Sequence, residues 1–143
     1  MPYDFIDELA TADIAFTAWG ETIEEMFASA VDATTNVMVS DLDSIERRET
    51  RELEASSDAV DMLLLGLLQE IIFFKDAERL LLRVEDVRIS YRDGLYRVNA
   101  TGSGEEVDPA KHDLIVDVKA VTLHRFKVEQ TYRGWEALVI LDI

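Results

Sequence analysis

The sequence contains no cysteine, which excludes disulfide bonds, thiolate metal ligands and cysteine nucleophiles. Proline and glycine are also scarce, with two and six among 143 residues. No low-complexity tract or internal repeat divides the chain. Hydrophobic residues make up 48% of the sequence, enough to build the core of one domain. We therefore expect residues 1–143 to form a single compact domain.

Basic residues are few, with 14 lysines and arginines against 30 aspartates and glutamates, so the net charge is −16. Proteins that bind nucleic acid directly gain much of their affinity from basic side chains that displace counterions from phosphates. A charge of this sign opposes that approach, so we expect no stable, direct binding of nucleic acid. An acidic surface suits a basic protein partner or divalent cations better.

Long hydrophobic runs are absent as well. The most apolar stretch, residues 59–74, is interrupted by Asp61, Gln69 and Glu70, whereas a membrane-spanning helix needs about 20 predominantly apolar residues. We predict a core helix there. The first residues, Met-Pro-Tyr-Asp-Phe, lack the basic start and apolar run of a signal peptide. A soluble cytoplasmic protein without a membrane segment is the expectation.

Two segments have the hydrophobic periodicity of helices. Thr22 and Glu25 form the pattern of a capping box, and apolar residues recur at intervals of three and four through residue 38. A second helix is expected after a cap at Ser57-Asp58, with one face formed by Val60, Leu63, Leu64, Leu67, Leu68, Ile71 and Phe74.

The remaining segments alternate as strands do. Residues 14–19 and 116–128 are predicted strands, and the charged segment 45–55 is predicted to be an exposed edge strand. Residues 135–143 are apolar on both faces, which is typical of a central strand. Because strands and helices are partly segregated along the chain, we predict an α+β fold with a mainly antiparallel sheet packed against two principal helices.

Three details of the strands are also predicted. The parity of the apolar positions changes near Glu85-Asp86, which indicates a β-bulge or a break in the strand. Asp93-Gly94 is typical of a tight hairpin turn, since both residues tolerate positive φ. Residues 102–109 are polar and rich in glycine and are predicted to form a loop.

Carboxylates at two strand ends are the candidates for chemistry. Asp13 begins a predicted strand, and Asp142 lies next to the terminal carboxylate of Ile143 at the end of the last one. Calcium binds six to eight oxygen ligands, commonly carboxylates and waters, so these three groups are candidate metal ligands. The alternative is that the terminal aspartate is a solvated cap. Lys119, inside an apolar segment, either reaches a carboxylate or lies on the exposed face of its strand.

Three segments, residues 11–16, 118–124 and 137–143, together resemble the archease family, small acidic proteins that activate an RNA-splicing ligase. The resemblance implies that Asp13, Asp142 and the terminal carboxylate of Ile143 bind a divalent ion, most often calcium. It also implies that Lys119 is needed for activation of the GTP-dependent ligase, through guanylylation and repeated turnover. We expect His124 to have a supporting role and assign none to His112.

The chain departs from the archease pattern at Leu9-Ala10, where an acidic residue and a histidine are usual, and at Leu123, where tyrosine is common. The two aspartates and the terminal carboxylate are untouched, and the departure at Leu9-Ala10 concerns only residues that would support a bound metal. We expect a non-enzymatic activator. Two alternatives remain open: a small metal-dependent hydrolase, such as a phosphatase or nuclease, and a calcium-binding or chaperone-like module unrelated to RNA.

Overall fold

The computed structural model describes residues 2–6 and 13–143, which form seven strands, two α-helices and one short 3-10 helix. The strands are β1 (Tyr3–Ile6), β2 (Asp13–Gly20), β3 (Glu49–Ser57), β4 (Leu80–Arg92), β5 (Leu95–Glu106), β6 (Ala120–Thr131) and β7 (Gly134–Asp142). The helices are α1 (Ile23–Met38) and α2 (Val60–Glu78), and the 3-10 helix spans Leu42–Ser44.

The strands form two antiparallel sheets, with the orders β1-β2-β7-β6 and β3-β5-β4. Helix α1 packs against β2 and β7 of the first sheet and β4 of the second, while α2 packs against the second sheet and β6. The core therefore lies where both helices meet both sheets. The predicted α+β class with antiparallel pairing is confirmed, although the strands divide between two sheets. Strand β7 is central, as its apolar faces predict, and β3 is at an edge.

The predicted start of α1 is confirmed, because the Thr22 hydroxyl accepts a hydrogen bond from the Glu25 N–H at 3.1 Å. The cap predicted for α2 at Ser57-Asp58 is wrong. Ser57 is the last residue of β3, and the residue preceding α2 is Ala59, which makes no side-chain capping bond. Within the described part of the chain, neither helix combines the length and hydropathy that a membrane span requires.

Both irregularities predicted for the β4–β5 hairpin are confirmed. The register between these strands shifts between Glu85 and Arg88, where Asp86 has φ 56°. The turn at its tip contains Asp93 and Gly94 with φ values of 53° and 77°. The positive φ of both turn residues matches the right-handed twist of the hairpin.

The loop predicted at residues 102–109 is wrong for residues 102–106, because β5 continues through Glu106. A Cβ atom on Gly104 would lie 1.7 Å from the carbonyl oxygen of Leu81, so glycine is required there by close contact with β4. At Gly102 the same atom would lie 3.2 Å from side-chain carbons of Leu53 and Leu82. These glycines allow tight packing inside a sheet and do not form a turn.

The strand predicted at residues 116–128 begins later than expected, at Ala120. Residues 116–119 belong to no strand, so Lys119 precedes β6 and does not lie within it. The apolar pattern of this segment reflects a buried connection, since Val118 is fully buried and Val116 packs against the core.

Candidate functional site

The structure brings the two candidate aspartates together. Asp13 begins β2 and is the direct antiparallel partner of Asp142, which ends β7. On its other side Asp142 is opposite Ala120, the first residue of β6. Directly opposite residues in an antiparallel pair project to the same face, with Cβ atoms about 4.5–5.5 Å apart. Both carboxylates therefore project from one face at this end of the sheet, which we call the acidic strand end (Asp13 and Asp142).

Lys119 and Ile143 lie beside this pair. The backbone N–H of Lys119 donates a 2.8 Å hydrogen bond to the carbonyl oxygen of Asp142, and the Lys119 side chain is exposed. Ile143 packs its side chain against the core. All four residues predicted from the sequence to form the site therefore lie within one region of the sheet.

Two carboxylates on neighbouring strands repel each other, and a bound cation is one way to remove that repulsion. Asp13 and Asp142 are both partly exposed, so they are open to an ion from solvent. Across residues 2–6 and 13–143, no group of three or more His, Cys, Asp or Glu side chains is placed to hold a metal ion. The two side chains would need further oxygen ligands, from the chain terminus or from water.

A buried lysine that the sequence analysis missed holds the segment leading to Lys119. The Nζ of Lys75, on α2, donates hydrogen bonds to the Asp117 carboxylate at 2.6 Å and to the Val118 carbonyl oxygen at 2.7 Å. It also bonds to the Asp76 carboxylate. Burial lowers the pKa of Lys75, but the bonds to Asp117 and Asp76 outweigh it and raise the pKa above its ordinary value. Lys75 therefore remains charged and fixes the two residues before Lys119.

We expect Lys75→Met to loosen the start of β6. Methionine keeps the apolar stem but leaves the Val118 carbonyl without its donor, at a cost of about 1–2 kcal/mol because Asp117 and Asp76 can turn to water. Hydrogen exchange of the Lys119 amide should accelerate by about tenfold or more. Lys127→Met, at an exposed lysine of β6, is the control. Unchanged exchange at Lys119 in the Lys75 variant would contradict this assignment.

A buried histidine, His112, joins the end of β5 to the segment that connects β5 with β6. The ring of His112 is buried, at 2% exposure, and its Nδ1 accepts a 2.9 Å hydrogen bond from the Asp108 N–H. Since a backbone N–H can only donate, Nδ1 is unprotonated and the ring proton is on Nε2. That nitrogen lies 2.9 Å from Oε2 of Glu105, to which it donates.

Glu105 is surrounded by donors. Its carboxylate accepts from the Glu46 N–H at 2.9 Å, from Lys111 at 2.7 Å and from Arg48 at 3.2 Å. Burial raises the pKa of Glu105, but the hydrogen bonds from Glu46, Lys111 and His112 together with the Lys111 charge lower it to about 2. The carboxylate is thus an ionised anchor for the connection between β5 and β6.

Both members of the Glu105–His112 pair are visible in the sequence, but the composition of the segment around them is that of a loop. Glu105 and His112 are seven positions apart, and because Glu105 directly follows the glycines at 102 and 104, the segment looks like a surface loop. Their pairing depends on β5 extending through Glu106. His124, expected to support the site, is exposed within β6, and the hydrogen bonds of the described residues include none from it to either aspartate.

Both side chains of the acidic strand end are partly exposed. A depression of about 900 Å³ lies at the opposite end of β2 and β7, lined by residues that include Trp19, Glu21 and Arg133. It contains neither Asp13 nor Asp142. Residues 9–12, where the chain departs from and then rejoins the archease pattern, lie outside the described residues. A partly exposed pair of carboxylates outside this depression suits contact with another molecule better than enclosure of a small substrate.

Comparison with known proteins shows similarity over nearly the whole chain. The sequence matches the Archease protein family (MTH1598/TM1083) over residues 3–143. It is 33% identical to a protein archease of Methanosarcina mazei over 144 residues, covering 99% of this chain and 95% of that protein. It is 34% identical to a protein archease of Pyrococcus abyssi over 134 residues, covering 93% and 94%.

Two solved structures have the same fold. The solution structure of Methanobacterium thermoautotrophicum protein 1598 superposes with a TM-score of 0.85 at 34% identity, covering 99% of both chains. The crystal structure of an archease described as a possible chaperone, from Thermotoga maritima, has a TM-score of 0.60 at 17% identity and covers 96% of both chains, a likeness of fold alone. On the sequence match and the relatives together, this chain belongs to the archease family.

Proposed function

We propose that this protein is a non-enzymatic activator of a GTP-dependent RNA-splicing ligase, acting through its acidic strand end. The observation that carries the proposal is the register that sets Asp13 opposite Asp142 beside Lys119. These are the residues to which the archease resemblance assigns activity. The proposed partner is the ligase protein, in the cytoplasm, with no stable binding of RNA by this chain alone.

The charge distribution supports a docking role. A ligase that handles GTP, RNA ends and metal ions needs a basic active site, and the net charge of −16 on this chain favours encounter with such a surface. The acidic strand end supplies two carboxylates on one face, and the exposed Lys119 offers a cation next to them. In the proposed complex, the carboxylates face the metal-loaded site and Lys119 offsets phosphate charge.

The same residues fit a divalent cation, for which calcium is our proposal. Asp13, Asp142 and the terminal carboxylate of Ile143 would hold it, with waters completing the oxygen set. When bound, the ion would neutralise the carboxylates and offer a positive centre to phosphate oxygens. The chain's own contribution is positional: the sheet fixes the backbones of Asp13 and Asp142, and the Lys119 N–H bond fixes the Asp142 carbonyl group.

An extension beyond Ile143 tests the terminal ligand. Added residues convert the carboxylate into a peptide carbonyl and remove one anionic ligand, so calcium affinity should fall by about tenfold or more. Isothermal titration calorimetry measures this affinity. The control carries the same added residues before Met1. Equal affinity in the two extended proteins would rule out Ile143 as a ligand.

The activator proposal is tested by RNA joining under multiple-turnover conditions. The ligase from the same source is assayed with excess RNA, GTP and divalent ions, with this protein substoichiometric to RNA. We expect more RNA joined per ligase molecule when the protein is present. The hydrolase alternative predicts instead that the protein alone releases phosphate or cleaves RNA. Joining that is unchanged by the protein under several divalent ions would contradict the activator proposal.

A further inference from the structure

Strand β6 is irregular in its middle. Its pairing with β7 shifts between Thr122, which is opposite Ile140, and Lys127, which is opposite Leu138. The four residues 123–126, which we call the β6 bulge, therefore lie opposite one residue of β7. Arg125 within it has φ 58°, a left-handed conformation that is uncommon for arginine.

A bulge can simply protect an edge strand from pairing with another chain, and β6 is at the edge of its sheet. Protection alone does not explain the side chains it carries. Phe126 turns inward and packs against the core, whereas Leu123, at 62% exposure, points a large apolar side chain to solvent. His124 and Arg125 are exposed beside it.

The bulge is continuous with the acidic strand end. Ala120, opposite Asp142, is only three residues before Leu123, or about 10 Å along a strand. A molecule that contacts Asp13 and Asp142 from this end therefore reaches the bulge as well. Bulges are frequent next to functional sites, where they redirect side chains out of the strand's regular alternation.

We propose that the β6 bulge is a second contact with the partner ligase, in which Leu123 fills an apolar pocket bordered by acidic side chains. The inference rests on the proposed function, since it takes the ligase as the partner. A buried apolar anchor contributes much of the affinity in many interfaces. The acidic strand end and the cationic Arg125 present opposite charges side by side. A partner surface that has positive charge beside negative charge therefore pairs with both in a single orientation.

Leu123→Asp tests this contact at a position where folding does not depend on the side chain. Tyr132→Ser is the matched control, since Tyr132 is 91% exposed at the other end of the β6–β7 hairpin. Binding to the ligase is measured by biolayer interferometry, and stimulation of RNA joining by titration. We expect Leu123→Asp to weaken binding to the ligase by about tenfold or more. The concentration of this protein that gives half-maximal stimulation of RNA joining should rise by the same factor. Its maximal stimulation and its calcium affinity should match the wild type, as should all properties of Tyr132→Ser.

Equal ligase binding by Leu123→Asp and wild type would overturn the bulge contact while leaving the activator proposal intact. Wild-type protein that binds the ligase through Leu123 without stimulating joining would support the contact and contradict the activator proposal. Absence of any wild-type binding would overturn both. A loss of binding in Tyr132→Ser as large as that in Leu123→Asp would also overturn the assignment to the bulge.

Discussion

If calcium binds at the proposed site, it should stabilise the wild-type protein, and Asp142→Asn should abolish that stabilisation. Calcium at one hundred times its dissociation constant adds about 2.7 kcal/mol to the free energy of unfolding. For a chain of this size that is a rise of about 10 °C in unfolding temperature. Without calcium the variant should be as stable as wild type or more stable, because it relieves the repulsion between Asp13 and its cross-strand partner. Differential scanning calorimetry with and without calcium measures both effects.

With calcium present, Asp142→Asn should be less stable than wild type, whereas without calcium it should not be. This pattern distinguishes ion binding from a structural role of the side chain. Asp93→Asn is the control: it removes the same charge at an exposed turn residue whose left-handed conformation asparagine also adopts. It should retain the full response to calcium. A variant at Asp142 that is destabilised without calcium, or that still responds to it, would contradict the proposed site.

Glu105→Gln should lower the free energy of unfolding by about 2–4 kcal/mol at neutral pH. The amide keeps the shape of the side chain but loses the charge, and its NH₂ group faces donors on Glu46, Lys111 and His112. Glu106→Gln is a matched control, since the neighbouring side chain is exposed. Urea unfolding at pH 7 gives the difference between the variants, and equal stability would contradict the anchor.

The effect of Glu105 should disappear in acid. Its pKa is about 2 in the folded protein, below the ordinary value of 4.5 for a glutamate. The unfolded chain therefore takes up the proton first as the pH falls. The stabilisation is fully present above about pH 5 and declines as the pH falls through 4.5 towards 2. The free-energy difference between wild type and Glu105→Gln should shrink across that range. A difference that stays constant from pH 7 to pH 3 would show that the charge of Glu105 is not responsible.

Much of the fold was predictable because local patterns agree with tertiary packing. Residues 135–143 are apolar on both faces, and β7 is central in its sheet. The periodicity of residues 23–38 matches α1 to the residue, and the parity change near Glu85-Asp86 marks a real bulge. In each case the burial pattern of a single segment determines its structure.

The misassigned segments are those where tertiary contacts override composition. Gly102 and Gly104 have the composition of a turn, but β4 packs so closely on Gly104 that no side chain fits. Lys75 reads as a surface residue of a helix, and only the fold brings the Asp117–Val118 segment to it. The packing at Gly104 and the hydrogen bonds of Lys75 both involve residues that are distant in the chain, and such contacts cannot be inferred from a single sequence.

The members of the candidate site could be named from the sequence, but their spatial arrangement could not. The archease resemblance pointed to Asp13, Lys119 and Asp142, whereas their proximity depends on the register between β2, β7 and the start of β6. A shift of one residue in that register would move one carboxylate to the other face. The β6 bulge was not predicted, because its exposed Leu123 fits the alternation of an ordinary strand.

The most direct test of the activator proposal is guanylylation of the ligase in the presence of wild-type protein or Asp142→Asn. Transfer of labelled GMP from GTP to the ligase is followed over time in calcium, with this protein absent, wild type or substituted. We expect wild type to accelerate the transfer and Asp142→Asn to leave it at the rate of the ligase alone. Equal acceleration by both proteins, or none by wild type, would contradict the role of the acidic strand end.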